Sequence, residues 1–186
     1  MNIMKTKQII GLAFVLGAMA LGHAMATFAT AQDAVPAPDL PAGCELLAAP
    51  EGHEVASRVY AVGVQIYRWN GSSWAFVAPE AGLFASKNYR GLIGTHYGGP
   101  TWESVSESMV VSSGTTAIPC TPDPTSVPWL RLTAISSNGP GIFEGVTYIQ
   151  RVNTAGGIRP VEPGTEVGQE ARIPYTTEYY FYKEAN

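Results

Sequence analysis

Charged side chains are scarce in this sequence, at 14% of its 186 residues, against about 25% in an average soluble domain. Coiled coils, bundles of long helices and charged disordered chains all depend on abundant Glu, Lys and Arg, so the composition excludes them. Apolar residues make up 46% of the chain, which excludes disorder along most of its length. A chain of this size most often folds as one compact domain.

Histidine is also scarce, and this limits the chemistry open to the protein. Of the three histidines, His23 lies in the N-terminal leader considered below, which leaves His53 and His96. A catalytic zinc would need both of them with a carboxylate such as Glu103, and no closely spaced pair of ligands supports such a site. We therefore expect neither a metal nor another cofactor.

Two common sequence signatures of enzymes are missing as well. No Gly-x-Ser-x-Gly motif is present, so serine hydrolase chemistry has no local support. The glycine-rich run Asn138–Gly145 misses the spacing of a dinucleotide-binding loop, and no helix pattern follows it.

The N-terminus has the organisation of a secretory signal peptide. Lys5 and Lys7 precede the uncharged apolar run Ile9–Leu21, and a small-residue cleavage site ends at Ala31. The alternative, a membrane anchor, needs about 20 apolar residues, and this run has 13. We predict a signal peptide over 1–31 and a secreted or periplasmic protein.

Removal of this peptide after Ala31 would leave 155 residues with 9 basic and 15 acidic side chains, a net charge of −6. An acidic chain without a basic cluster is a poor partner for nucleic acid or for an anionic membrane surface. The expected partner is a small molecule or a glycan. We expect no nucleic acid partner and no membrane span after cleavage.

Cysteine occurs only twice, at Cys44 and Cys120. Both lie in proline-rich connecting segments, and an even count in an oxidising compartment favours a disulfide. Two buried free thiols are the alternative, whereas a catalytic thiol has little support because neither cysteine has a histidine partner nearby in sequence. We predict an Ala/Pro-rich flexible lead over 32–43 and a single β-rich domain over 44–186.

The rest of the chain has the sequence pattern of an all-β domain, in which short apolar runs are separated by Gly, Pro and Asn. The clearest unit is a hairpin, because the alternating run Tyr60–Trp69 and the run Ser72–Val77 flank the turn signal Asn70-Gly71. The alternation places three apolar side chains on one face: Val62, Val64 and Ile66.

Five further strands are predicted from β-branched and aromatic content: Leu92–Tyr97, Met109–Ser112, Trp129–Ile135, Val146–Val152 and Tyr175–Tyr182. The last carries aromatic residues on both faces, as expected for a strand that is covered on both sides. A helical turn is predicted at Pro79–Phe84 and a long polar loop at Pro160–Ala171. The fold class is all-β, a single-domain antiparallel β-sandwich or barrel with long loops, and both architectures stay open.

An imidazole, a phenol, an indole and a carboxylate are concentrated in the segment Gly94–Glu103. His96 is a candidate general base and Glu103 its partner or acid, if the turn brings them together. Tyr97 and Trp102 are candidate ligand contacts. The structural alternative is a strand and tight turn, with His96 hydrogen-bonded in the core and Trp102 packed against it.

A second polar group lies at the end of a predicted strand, before Gly156-Gly157. Its candidate ligand contacts are Gln150, Arg151 and Thr154. The guanidinium of Arg151 could bind a carboxylate or a sulfate, or it could pair with a buried glutamate.

Two functions follow from these groups. The first is a non-catalytic, extracytoplasmic binding or cell-envelope-associated β domain, which uses the loop from His96 to Glu103 with the polar group around Arg151. The second is an extracytoplasmic hydrolase or lyase that uses His96 and Glu103 on an anionic or sugar substrate. The small supply of histidine and clustered acids favours binding.

Blocks of residues in a fixed order also connect the chain to a known family. They are Gly63–Tyr67, Trp74 with Pro79–Ala81, Gly94–Glu103, Pro128–Leu130, Val146–Gly157, Pro174–Thr176 and Tyr179–Tyr182. Together they cover nearly all of Cys44–Tyr182 and resemble the family known as domain of unknown function 3455, whose members are secreted proteins of bacteria and fungi. The resemblance implies no established activity. Some members carry a malate dehydrogenase label, which this sequence does not support, because it has no dinucleotide fingerprint and a predicted export signal.

The resemblance also bears on the cysteines. Many members of that family have one cysteine shortly after the Gln-Ile-Tyr block and another after the Gly-Gly turn. Here those regions hold Trp69 and Pro163, so a disulfide at those places is absent. We hypothesise that a bridge between Cys44 and Cys120 takes its place.

Overall fold

The structure is a computed structural model that describes residues 34–185. The predicted signal peptide, over 1–31, and the start of the predicted lead lie outside the described residues. Within 34–185 the chain forms nine strands and two short 3-10 helices, Glu45–Leu47 and Gly114–Thr116. The strands are β1 (His53–Trp69), β2 (Trp74–Phe84), β3 (Leu92–Tyr97), β4 (Thr101–Ser104), β5 (Met109–Ser112), β6 (Ile118–Cys120), β7 (Trp129–Asn138), β8 (Tyr148–Gly156) and β9 (Glu170–Glu184). No helix in this part of the chain is long and apolar enough to cross a membrane.

The nine strands form one antiparallel sheet that closes on itself. Their order is β5-β4-β3-β2-β1-β9-β8-β7-β6, and β5 also pairs with β7. This last pairing joins Met109 to Asn138 and Val111 to Ser136, and it completes a ring of eight strands. β6 pairs with the remaining part of the same edge of β7 and stands outside the ring. The predicted all-β class is confirmed, and the architecture is a closed, ring-like barrel.

The predicted hairpin is confirmed as β1 and β2. Trp69 pairs with Trp74 across a four-residue loop, in which the side-chain oxygen of Asn70 accepts hydrogen bonds from the N–H groups of Ser72 and Ser73. Because side chains alternate along a strand, β1 has an outer and an inner face. The outer face carries Val62, Val64 and Ile66, and the inner face carries Ala61, Gln65 and Tyr67.

The predicted helical turn at Pro79–Phe84 is wrong, because these residues form the second half of β2. Pro79 lies opposite Gln65, beside the register shift between Ile66 and Tyr67. A proline is tolerated there because the hydrogen-bond ladder is already interrupted next to it. Six residues are too few for periodicity to separate a helical turn from a strand, and pairing with β1 and β3 decides the matter.

The other predicted strands are all present, but the positions of their ends agree with the prediction to different degrees. β3 and β5 have the predicted bounds, whereas β7 and β9 are longer and β8 is shifted towards its C-terminus. The short strands β4 and β6 were not predicted. The predicted loop at Pro160–Ala171 ends where β9 begins, at Glu170.

Apolar side chains fill the half of the barrel where β1 begins and β9 ends. Phe143, from the connection between β7 and β8, is fully buried there, and its ring centroid lies 4.7 Å from that of Phe181. The surrounding buried residues include Val59, Ala61, Ala81, Leu83, Val110, Val146 and Ile149. This end of the barrel is therefore a packed hydrophobic core.

Residues 34–50, which we call the strap, lie against the outer face of β8 and β9. Val35, Leu40 and Ala49 pack there against the buried cluster of Val152, Tyr180 and Tyr182. The part of the predicted lead within the described residues, 34–43, therefore has no regular secondary structure but does contact the barrel. The strap also confirms that β9 is covered on both faces, because Tyr179 and Phe181 of the same strand belong to the interior core.

The predicted disulfide joins the strap to β6. Cys44 and Cys120 are bridged, with 5.5 Å between their Cα atoms and a sequence separation of 76. The side chains of Gln150 and Arg131 also donate hydrogen bonds to the carbonyl oxygens of Leu47 and Ala48 in the strap. The strap is thus held by the disulfide, side-chain hydrogen bonds and apolar packing.

Replacing both cysteines with serine should lower the free energy of unfolding by about 4 kcal/mol, because the bridge closes a long loop and restricts the unfolded chain. Urea denaturation followed by tryptophan fluorescence measures this difference. A reducing agent should destabilise the wild-type protein by a similar amount and leave the double serine variant unchanged. Equal stability of the two proteins under oxidising conditions would contradict a stabilising role for the bridge.

Candidate functional site

A cavity of about 420 Å³ lies at the end of the barrel where β1, β3, β5 and β8 finish. An eight-stranded barrel can hold one small ligand when side chains do not fill its interior. The volume lies within the ordinary range of small-molecule sites, about 300–1,000 Å³. The connections around Pro100, Gly114 and Pro128 contribute to the lining, together with inward-facing residues of seven strands.

Arg151 is the only charged side chain that lines the cavity in the described part of the chain. It lies on β8 opposite Tyr179 of β9, whose side chain belongs to the interior. Its Nε and Nη2 atoms donate to the carbonyl oxygen of Pro128, at 3.1 and 2.8 Å. Neither of the ion pairs found among residues 34–185 involves Arg151. The guanidinium is therefore oriented by a backbone carbonyl and keeps its full positive charge.

Several polar atoms around this cavity are buried without a hydrogen-bond partner in the described structure. Nε2 of Gln65, Nε1 of Trp102 and the hydroxyl of Tyr179 are three of them, and all three residues line the cavity. The hydroxyl of Tyr175 is a fourth. These atoms are neighbours of one another: the Tyr175 hydroxyl lies beside Gln65 and Tyr179, and the Tyr179 hydroxyl lies beside Trp102 and Arg151, but none of these contacts has the geometry of a full hydrogen bond. An unpaired buried polar group costs about 1–3 kcal/mol. A concentration of such donors in one cavity is typical of a site that binds acceptor atoms.

The charge of Arg151 influences the groups around it. Burial raises the pKa of Tyr179 and of Tyr175, and in each case the guanidinium of Arg151 opposes the shift. Both phenols therefore stay neutral at physiological pH and keep their O–H groups as donors.

His96 lies in the cavity wall as a neutral imidazole with a defined tautomer. Its Nδ1 is 2.8 Å from the carbonyl oxygen of Thr101, which can only accept, so Nδ1 carries the proton. Burial lowers the pKa of His96 to about 3, with a smaller contribution from the charge of Arg151. The imidazole also stacks on Trp102, with 4.3 Å between ring centroids and 11° between planes. Nε2 is therefore a fixed hydrogen-bond acceptor.

The remaining lining is apolar. Phe76 is 56% exposed and lies 5.8 Å from the ring of Tyr67, so it forms part of the rim. The other apolar residues are Pro79, Pro100, Ala117, Val127, Leu130 and Leu132. The cavity thus combines a polar group of side chains with a larger apolar wall.

Gly157 allows the connection between β8 and β9 to pass close to the polar side chains. Its φ is +81°, and a Cβ at this position would lie 2.9 Å from Cβ of Tyr175 and 3.0 Å from Cγ of Gln65. Its carbonyl oxygen accepts a hydrogen bond from the hydroxyl of Tyr67 at 2.8 Å. Glycine is required here both for the backbone conformation and for the close approach.

The structure brings together three of the residues proposed from the sequence, because His96, Trp102 and Arg151 all line the cavity. Tyr97 and Glu103 lie on the outer face of the same two strands, since side chains alternate along β3 and β4. There the Tyr97 hydroxyl donates to the Glu103 carboxylate at 2.7 Å, and this bond raises the pKa of Tyr97. His96 and Glu103 therefore do not face one another.

Gln150 and Thr154 are buried outside the cavity. Gln150 lies on the outer face of β8, where its amide donates to the carbonyl oxygen of Leu47 and accepts from the hydroxyl of Tyr182. Thr154 donates to the carbonyl oxygen of Val127 at 2.7 Å. Both side chains attach neighbouring segments to the barrel, and neither lines the cavity.

The two remaining histidines are far apart in the fold. His53 is the first residue of β1, whereas His96 is near the end of β3, so they lie towards opposite ends of the barrel. Within residues 34–185, no group of three or more His, Cys, Asp or Glu side chains is arranged to hold a metal ion.

Sequence reasoning missed four polar residues of the site: Gln65, Tyr67, Tyr175 and Tyr179. The alternation in β1 contained a signal for two of them. Gln65 and Tyr67 share a face with the small residues Ala61 and Gly63, opposite an all-apolar face. A small and polar inner face is the pattern expected of a strand that lines a cavity in place of a packed core.

The fold and the site together define a closed β-barrel protein with a donor-rich interior cavity. A family model matches residues 50–183, and the chain belongs to the family it describes, Protein of unknown function (DUF3455). The resemblance seen in the sequence blocks is thereby confirmed. No curated protein and no solved structure gives a significant match to the chain.

Lowering the pH from 6.5 towards 3 should destabilise the protein through His96. In the unfolded chain this imidazole takes up a proton near its ordinary pKa of 6.5, whereas in the fold it does so only near a pKa of about 3. Between these values the unfolded state binds more protons, so the free energy of unfolding falls as the pH falls. One such group contributes up to about 1.4 kcal/mol per pH unit.

Urea denaturation at a series of pH values measures this effect against the His96→Phe variant. The variant keeps an aromatic ring against Trp102 and removes the titrating group. The stability of the wild-type protein relative to the variant should therefore decline steadily as the pH falls below 6.5. A difference that does not depend on pH would show that the imidazole of His96 titrates equally in both states.

Proposed function

We propose that the protein is a non-catalytic, extracytoplasmic binding protein that holds one small anionic molecule in the barrel cavity. The observation that supports this most directly is the position of Arg151. Its guanidinium lies in a cavity of about 420 Å³, is oriented by the carbonyl oxygen of Pro128, and has no acidic partner among residues 34–185.

A partly buried charge without an acidic partner favours a ligand of opposite sign. Removing a cation from water is costly unless it is paired, and an incoming anion would supply the missing partner. Nε and Nη2 of Arg151 contact Pro128, which leaves Nη1 to bind an anion through a charge-assisted hydrogen bond. The donors of Gln65, Trp102 and Tyr179 would complete the coordination of such a group.

The body of the ligand is expected to be apolar. Phe76, Pro79, Leu130 and Leu132 form a wall that would exclude water from a ring or a short hydrocarbon chain. Burial of apolar area contributes about 25 cal/mol per Å², so this wall would provide much of the affinity. The polar side chains would then fix the orientation of the ligand.

Export is supported by two features of the chain. The N-terminal sequence has the charge and apolar pattern of a signal peptide. The bridge between Cys44 and Cys120 is of the kind that persists in an oxidising compartment.

The enzymatic alternative has less support from the geometry. A general base works best when its pKa lies near the operating pH, whereas burial lowers the pKa of His96 to about 3. Glu103, the expected partner, contacts Tyr97 on the outer face of the sheet. The arrangement therefore favours binding over hydrolase or lyase chemistry.

Benzoate should bind the wild-type protein about tenfold more tightly than benzamide, which has nearly the same shape but no charge. The expected ratio corresponds to one charge-assisted hydrogen bond. Isothermal titration calorimetry at pH 7 measures both dissociation constants. Binding of glucose in preference to benzoate would contradict an anion site and would indicate a glycan site.

Two arginine variants distinguish the cavity from the protein surface. Arg151→Gln should remove the preference for benzoate over benzamide. Arg172→Gln is the matched control, because Arg172 pairs with Glu80 on the surface, and it should leave the preference unchanged. Equal behaviour of the two variants would show that Arg151 is not the anion-binding group.

A further inference from the structure

We infer that the ligand of the cavity is a hydroxyl-bearing carboxylic acid, whose carboxylate binds Arg151 and whose hydroxyl donates to Nε2 of His96. This inference rests on the proposed function and specifies its ligand. It follows from the polar side chains that line the cavity, because they offer many more hydrogen-bond donors than acceptors.

Donors dominate the polar part of the cavity. Arg151 and the indole of Trp102 can only donate, and the unpaired amide nitrogen of Gln65 is a donor as well. The hydroxyl of Tyr179 adds an O–H group. A carboxylate offers two oxygen atoms with about four lone pairs, which matches a cluster of this kind.

His96 contributes a hydrogen-bond acceptor to the cavity. With Nδ1–H donating to Thr101, the remaining ring nitrogen is Nε2, which can only accept, and His96 lines the cavity. A ligand that carried only a carboxylate would bring acceptor atoms alone and would leave this nitrogen unpaired. A hydroxyl on the ligand supplies the missing donor.

The acceptor is held in place from several directions. Turning the imidazole over to present Nδ1–H to the ligand would break its hydrogen bond to Thr101. Stacking on Trp102, with 11° between the ring planes, keeps the imidazole in its present plane. The edge of the Tyr179 ring packs against the same imidazole, at 5.2 Å between centroids. The site therefore cannot adapt to a ligand that lacks a hydrogen-bond donor. The fixed imidazole should discriminate between a carboxylic acid that carries a hydroxyl and one that does not.

The surroundings of His96 also keep it uncharged. The titratable groups that face it are Arg151 from β8 and Tyr179 from β9, one a permanent cation and the other a neutral phenol. Neither would stabilise a second positive charge in the cavity. Nε2 therefore stays an acceptor across the physiological range of pH, and recognition of a hydroxyl should not depend on pH there.

The first experiment compares simple acids on the wild-type protein by isothermal titration calorimetry. The probes are benzoate, its three monohydroxy isomers, and the methyl ether of each isomer. We expect at least one hydroxybenzoate to bind about tenfold more tightly than benzoate, as one hydrogen bond to a buried acceptor predicts. Its methyl ether, which has no donor, should bind no more tightly than benzoate. Equal affinity of benzoate and all three isomers would overturn the inference.

The second experiment assigns the effect to His96. In His96→Phe the ratio of hydroxybenzoate affinity to benzoate affinity should fall from about ten to about one, whatever the change in benzoate affinity itself. In His96→Gln part of this ratio should remain, because the side-chain oxygen can replace Nε2. The advantage in the wild-type protein should be constant from pH 5 to pH 8. Retention of the full advantage in His96→Phe, or its disappearance near pH 6, would overturn the assignment.

These measurements separate the inference from the proposed function. If benzoate binds with the expected dependence on Arg151 but hydroxylation has no effect, the anion site stands and the hydroxyl assignment is wrong. If none of the acids binds, the proposed function itself is wrong. If the hydroxy acids alone bind, and only with Arg151 and an acceptor at position 96, both are supported.

Discussion

Closure of the sheet between β5 and β7 is the constraint on which the rest of the structure depends. Four residues of β5 pair with the C-terminal part of β7, and this short pairing closes the sheet around an interior. In an open sheet, Gln65, His96 and Arg151 would lie on separate strands facing water. In the ring these side chains surround one cavity, so the site depends on a pairing between two strands that supply none of its polar side chains.

One end of the barrel interior stabilises the fold, and the other end forms the candidate site. At one end, Phe143 and its neighbours form a packed core that buries apolar area. At the other end, Gln65, Trp102 and Tyr179 leave buried polar atoms unpaired, which opposes folding. Buried polar atoms without hydrogen-bond partners are expected at the ligand-binding sites of proteins. The packed end and the disulfide offset this cost.

Much of the fold could be predicted from the sequence, because hairpin turns and strand alternation are local. Asn70-Gly71 marked the β1–β2 hairpin, and the aromatic run at Tyr175–Tyr182 indicated a strand covered on both faces. Pro79–Phe84 was misread because a short run has no decisive period of its own. The site was predicted only in part. Arg151, His96 and Trp102 stood out by chemical type. Gln65 was marked only by the small and polar face of β1, and its meeting with the other three residues depends on ring closure, which no local pattern records.

The strand left over by ring closure, β6, is three residues long, and its central residue is Pro119. A proline has no N–H group to offer a neighbouring strand, and Cys120 beside it is tied to the strap. An incoming strand from another molecule would find neither the length nor the donors that it needs for a stable ladder. At this edge, the same closure that creates the cavity therefore also opposes pairing with a strand of another molecule.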